Sequence, residues 1–186
     1  MSLAALRFAE NAHQGQYRLG GEPYIHHCVR VAGYARLYIK HVGLYVPAAY
    51  MHDVLEDCPH ISYEDINKSF GVLIADTVQD LTNQFTSEKC PNLKRRERKI
   101  REHERLAQVN NISQQIKLCD RLDNVTTKLY TLDHGLSKRY VEETISLLDH
   151  IGIANPNIAA QIKDRLNAYT VNKKNKVGCC NPNEGN

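Results

Sequence analysis

Hydrophobic positions along the chain recur mostly at spacings of three and four, and strict alternation never survives for more than a few residues. Leu3, Leu6, Ala9 and Ala12, with His13, trace one face of a first helix that runs into the loop "GQYRLGGEP". Pro23 suits the first turn of a second helix, "PYIHHCVRVAGYARLYIKH", which ends near Gly43. Pro47 opens a third, which carries "AAYMHDVLEDC" at 48–58. Ser62, with Asp65 three residues on, signals the start of a helix over "SYEDINKSF", and Gly71 separates that helix from "VLIADTVQDLT". A charged segment spans about 92–108. "SQQIKLCDRLDNVTTKLYTL" is strongly amphipathic, and two more helices are expected over about 137–151 and 157–170. The pattern predicts an all-α, single-domain helical bundle over residues 1–170. Residues 171–186 have the Gly/Asn/Lys/Pro composition of a disordered tail.

Composition adds little and excludes a good deal. A chain of 186 residues can bury a substantial core without disulfide staples. At 42% hydrophobic and 24% charged residues it is ordinary for a globular protein, and a formal charge of +3 is too small to argue for nucleic-acid binding. No stretch approaches 18 continuous apolar residues, so no membrane span is expected. The N-terminus lacks the basic-then-apolar pattern of a secretion signal. The six cysteines show neither CxxC pairs nor disulfide-framework spacing, and the vicinal Cys179-Cys180 pair sits in the polar tail. Reduced thiols and a cytoplasmic setting are the expectation.

The informative residues are polar ones on apolar faces. His27 interrupts the second helix among Tyr24, Ile25, Val29 and Val31. His52 and Asp53 end the apolar part of the third, and Glu56 and Asp57 follow one turn on. Asp120 interrupts "IKLCDRL". Carboxylates at that spacing repel, and the repulsion grows where water is excluded. Two imidazoles and two carboxylates match a divalent-cation site with mixed N/O ligands, and a cation would lower the cost of burying Asp53 and Asp120 as anions. Spacing alone leaves plainer readings open. A histidine on a helix is often a satisfied core residue, and Arg121 or Lys117 would serve Asp120 as an ion-pair partner.

Four ordered segments sharpen the choice. "FAENAHQGQYRLGGEPYIHH", "AAYMHDVLEDC", "FGVLIADTVQDLT" and "IKLCDRLDNV", over residues 3–150, resemble in order and spacing the HD-type hydrolase domain of RelA/SpoT proteins. They are equally similar to the stand-alone small alarmone hydrolases, metazoan SpoT homologues among them. The resemblance implies a metal-dependent pyrophosphohydrolase, here monofunctional, that removes the 3′-pyrophosphate from guanosine 3′,5′-bis(diphosphate) or its pentaphosphate. It implies His27, His52, Asp53 and Asp120 as ligands of one metal, usually Mn²⁺, with His26 a bystander. Glu56 and Asp57 match the acidic pair beside the nucleophilic water, the role of a general base and its assistant. Arg18 matches a nucleotide-contacting arginine and Asn124 a residue that helps hold the substrate. Arg139 and Thr144, in "RYVEET", resemble a substrate segment of the long RelA/SpoT proteins.

The segment "KRRERKIREHER" carries seven Lys/Arg against three Glu between 94 and 105. It reads first as a solvated, ion-paired helix and second as a basic flap over a polyphosphate. The chain departs from the family pattern at Leu19, where a second basic residue is common, at Cys28, where proline is usual, and in "LTNQFTSEKCPN". These departures lie on the nucleotide side. They leave room for a related hydrolase acting on an adenosine alarmone, NADPH, a nucleoside triphosphate or a pyrophosphorylated tRNA, including an antitoxin role, and for a non-catalytic nucleotide-sensing domain. The implied partner is a small nucleotide. No membrane is expected, no nucleic acid beyond a tRNA 3′ end, and a homo-oligomer stays open.

Overall fold

Ser62 and Asp65 show how closely local chemistry sets the helix boundaries. In a computed structural model of the chain, the Ser62 backbone N–H donates to Asp65 at 2.9 Å and the Asp65 N–H donates back to Ser62 Oγ at 3.3 Å. The helix they open ends at Gly71, whose φ of +88° favours glycine. Residues 2–40, 42–127, 129–131 and 134–178 are described.

Ten α-helices run through these residues: α1 (Ser2–Ala12), α2 (Tyr24–Tyr38), α3 (Val46–Tyr50), α4 (Val54–Asp57), α5 (Tyr63–Phe70), α6 (Val72–Leu81), α7 (Arg95–Leu106), α8 (Asn111–Thr127), α9 (His134–Ile151) and α10 (Pro156–Gly178). Among the described residues there is no strand, only an isolated bridge between Tyr17 and Pro23. The all-α reading holds.

The organising element is α8. Its Ile116, Leu118, Cys119, Leu122 and Val125 are buried, and it packs against α2, α6, α9 and α10. Ala5, Ala9 and Ala12 give α1 a small-residue face, which seats it against α3. From the far side α10 contributes Ile158, Ile162 and Leu166 to the same core.

Three differences from the sequence reading bear on function. The expected third helix breaks: Met51–Asp53 form a turn, so "AAYMHDVLEDC" is two short helices joined at its His-Asp pair. The Met51 N–H bonds back to Pro47 and Ala48, and the chain restarts with the N–H groups of Glu56 and Asp57 on the Asp53 carbonyl. Secondly, the charged segment forms the helix read for it, α7, but packs on α9 and buries Glu102, His103 and Leu106 rather than standing fully solvated. Finally, α10 continues through Gly178, beyond the boundary at 170, while Cys179, Cys180 and the rest of 179–186 lie outside the described residues.

Replacing the buried Ile158 by Ala is expected to cost about 2–5 kcal/mol in a denaturant-unfolding experiment. A loss well under 1 kcal/mol would mean that α10 is not integral to the core.

Candidate metal centre and its cleft

Three parts of the fold meet beside α8: the first turn of α2, the α3–α4 junction and the loop after α1. Each sends a polar side chain inward, where an unsatisfied group would be costly. The proton positions follow from the partners. His27 Nδ1 lies 2.7 Å from Asp123 Oδ2, and a carboxylate only accepts, so Nδ1 carries the proton. His52 Nδ1 likewise donates to the Ala49 carbonyl at 2.9 Å.

Both imidazoles therefore turn Nε2 toward one point. There His52 Nε2 stands 2.9 Å from Asp53 Oδ2 and 3.8 Å from Asp120 Oδ1. His27 Nε2 stands 3.7 Å and 3.3 Å from the same two oxygens. The donor atoms of His27, His52 and Asp53 all lie within 4.8 Å of one another. His52 Nε2 is buried without a hydrogen-bond partner, although a carboxylate oxygen is within reach. Lone pairs facing one another in a buried site favour positive charge between them. The chemistry of this donor set fits a divalent metal held by His27, His52, Asp53 and Asp120.

The electrostatics express the same demand. Burial alone would raise Asp53 and Asp120. The charges and hydrogen bonds of His52, His27 and Lys117 outweigh it and hold both well below the usual carboxylate range. At His27 burial opposes the charged form, yet hydrogen bonds donated to Asp120, Asp123 and Asp53 push it up to about 10. The cluster binds positive charge, whether as a proton or as a metal.

A further set of side chains, not singled out from sequence, holds these groups in place. Asp123, fully buried, accepts from His27, from Arg30 Nε at 2.6 Å and from Arg18 Nη1 at 3.1 Å. The one available signal was its i+3 spacing from Asp120, which puts both carboxylates on one helix face. Lys117 Nζ meets Asp120 Oδ2 at 2.9 Å, so the ion-pair reading of Asp120 applies to its outer oxygen while the inner one faces the histidines. Tyr24 donates its hydroxyl to Asp53 Oδ2 at 2.6 Å, and the His13 ring stacks on Tyr24 with centroids 4.7 Å apart.

A cleft of about 600 Å³ opens above this floor. Glu56 and Asp57 line it, as do Arg18, Asn124 and Arg139. Desolvation, then the charge of Asp53, lifts Asp57 above the usual carboxylate range, as suits a proton acceptor. Arg18 is held by Asp123, by Thr127 Oγ1 at 2.9 Å and by Asn124 Oδ1 at 2.6 Å. Its loop turns through Gly20 and Gly21, both at positive φ. Asn124 also donates to Asp120 Oδ1. Thr144 is not on the wall: it is fully buried, accepting from Arg121 Nη1 at 3.2 Å and donating to the Tyr140 carbonyl. His26 points elsewhere, 3.6 Å from Glu22. The cleft is also lined by cations, Arg95, Lys99, Arg121 and Arg139, with Glu143 among them.

A His-Asp pair at a helix break, completed by a histidine and an aspartate from two other helices, defines the HD class of metal-binding helical domains. Residues 5–151 match the model of the HD-domain family, and the chain belongs to that family.

Its relatives are more specific. The guanosine-3′,5′-bis(diphosphate) 3′-pyrophosphohydrolase of Haemophilus influenzae is 36% identical over 152 residues, covering 75% of this chain and 20% of that protein. The bifunctional (p)ppGpp synthase/hydrolase SpoT of Escherichia coli is 36% identical over 146 residues, covering 75% and 19%. A probable chloroplastic GTP diphosphokinase, RSH3 of Oryza sativa, is 32% identical over 166 residues, covering 85% and 22%. The chain thus spans about a fifth of the length of these relatives. The solved structure of a metazoan ortholog of SpoT that hydrolyses ppGpp superposes with a TM-score of 0.77 at 25% identity, covering 90% of this chain and 94% of that one.

Because Asp123 fixes the His27 ring, Asp123→Asn is expected to weaken divalent-metal affinity about 10–100-fold, read by competition with a chromogenic chelator. Unchanged affinity would rule out that role.

Proposed function

We propose that the chain is a Mn²⁺-dependent pyrophosphohydrolase that removes the 3′-pyrophosphate from guanosine 3′,5′-bis(diphosphate) and its pentaphosphate, giving GDP or GTP and pyrophosphate. The observation that carries this reading is the polarity of the cleft. Convergent nitrogen and oxygen donors and the acids Glu56 and Asp57 share it with a set of lysine and arginine side chains. The names and activities of the HD-domain relatives support it.

His27, His52, Asp53 and Asp120 would hold a divalent cation, which would supply the Lewis acidity that makes water nucleophilic near neutral pH and offsets charge at phosphorus. The protein's part follows from its own groups. Glu56 takes the water's proton, with Asp57 assisting. The Glu56 carboxylate is steadied from behind by the Asn83 N–H at 3.1 Å. Arg18 and Asn124, fastened to each other and to α8, give the nucleotide a rigid seat. Lys117 lies beside the reacting end, and Lys99, Arg121 and Arg139 meet the 5′-phosphates. Thr144 acts through Arg121, which it helps orient over the Tyr140 ring at 4.7 Å. The four described cysteines are free thiols, which supports a cytoplasmic setting.

A second reading, a related hydrolase with another nucleotide substrate, is favoured at one position. Leu19, on the cleft rim and 70% exposed, offers the base an apolar surface rather than a charge.

Chelation should abolish turnover, and Mn²⁺ should restore it. Glu56→Gln is expected to lower kcat about 10²–10⁴-fold without loss of fold. Chromatography of the products over a panel of nucleotides separates the two readings, since the first requires pyrophosphate and GDP from guanosine 3′,5′-bis(diphosphate). Turnover that survives complete removal of metal would overturn the mechanism.

A further inference from the structure

The cationic wall does not stop at the rim of the catalytic cleft. Beyond it α7 and α9 enclose a second cleft of about 720 Å³, and the two share Arg95, Lys99, Arg139 and Glu143 along their border. Lys94, Arg96 and Glu142 line the second cleft alone. Its five cationic side chains face two carboxylates, a net charge equal to the +3 of the entire chain gathered in one groove. Such concentration of one sign between low-dielectric walls attracts a polyanion.

The border is also short of anions. Arg95 is taken up by Glu143, Nε to Oε1 at 2.7 Å and Nη2 to Oε2 at 3.1 Å. Lys99 has no hydrogen bond or ion pair among the described residues. Burial, and then the charges of Arg121 and Lys117, hold its ammonium below the usual lysine range. Arg121 is only 8% exposed and has a hydroxyl and a ring for company instead of a carboxylate, while its Nε is buried without a partner. Arg121, buried without a hydrogen-bonded carboxylate, and the half-buried Lys99, which shares the charge of Glu143 with Arg95 and Arg121, form a preorganised anion seat beside the cleft.

None of the acids or metal donors lines the second cleft, so the residues shared along the border stand on the side away from them and serve the phosphates that are not cleaved. Lys99 and Arg139 line both clefts, so a 5′-diphosphate seated on them would end at the border, and a further phosphate would lie toward Lys94 and Arg96. We propose that the α7–α9 cleft is a subsite for the terminal phosphate of a 5′-triphosphate, through which the protein selects its substrate by the length of the phosphate chain remote from the scissile bond. This deepens the pyrophosphohydrolase reading above and rests on it.

The test compares kcat/KM for guanosine 5′-triphosphate 3′-diphosphate with that for guanosine 3′,5′-bis(diphosphate). The wild type is expected to prefer the triphosphate. Arg96→Ala and Lys94→Ala should each lower that preference about threefold to tenfold, as suits a partly exposed charge. Arg96→Glu should lower it further. A far-UV circular dichroism spectrum and a melting curve confirm that each variant is folded. Equilibrium binding of GTP and GDP, which needs no turnover, keeps the two claims apart. A wild type that hydrolyses neither bisphosphate overturns the reaction. An Arg96→Glu variant that leaves both the kinetic and the GTP-over-GDP binding preference unchanged overturns the subsite.

Discussion

The site depends on one buried carboxylate that touches no substrate. Asp123 is sealed from solvent and balanced by His27, Arg30 and Arg18. Removing a partner from a buried charge costs about 3–5 kcal/mol, so these contacts stand or fall together. They join α2, the loop after α1 and α8, and the His27 ring takes its orientation from them. With Nδ1 committed to Asp123, Nε2 has nowhere to face but the oxygens of Asp53 and Asp120. The convergence of donor atoms is thus a consequence of how three segments are tied.

The same arrangement is poor for stability. Asp53 and Asp120 come together at two imidazoles on the floor of a cleft, and in a core of α8 so well filled the least costly occupants would be apolar. Lys117 and the Tyr24 hydroxyl relieve part of the repulsion from outside, one at Asp120 and one at Asp53. What they leave is a demand for positive charge at the centre. The cations that line the cleft have the reverse imbalance, with Glu143 shared among Arg95, Lys99 and Arg121. A ligand that is itself a cation-binding polyanion answers both ends at once, and this complementarity is the physical content of the cleft.

Much of this was legible in the sequence for definite reasons. Helix starts were written in local chemistry, Ser62 with Asp65 and Pro47 in the first turn of α3, and both behave as read. His27, His52, Asp53 and Asp120 stood out because polar residues interrupt apolar faces, and they converge. The break at Met51–Asp53 was not legible, since a turn that keeps both flanking helices in register leaves the hydrophobic spacing undisturbed. Asp123 was missed because its partner His27 is 96 residues away and nothing local marks the pairing. Thr144 falls behind the wall because a neighbour, Arg121, reaches the cleft in its place. That outcome is set by side-chain length and packing, which periodicity does not encode.

Arg18 has a consequence of another kind. Its guanidinium fastens the glycine-turned loop to α8 through Asn124 and Thr127, and those two side chains also line the cleft. Neither is exhausted by that contact: the Asn124 amide keeps an N–H and the Thr127 oxygen a lone pair, so a nucleotide can bond to both without unfastening Arg18. The rim that carries Leu19 is thus pinned in advance by the very groups that face the ligand.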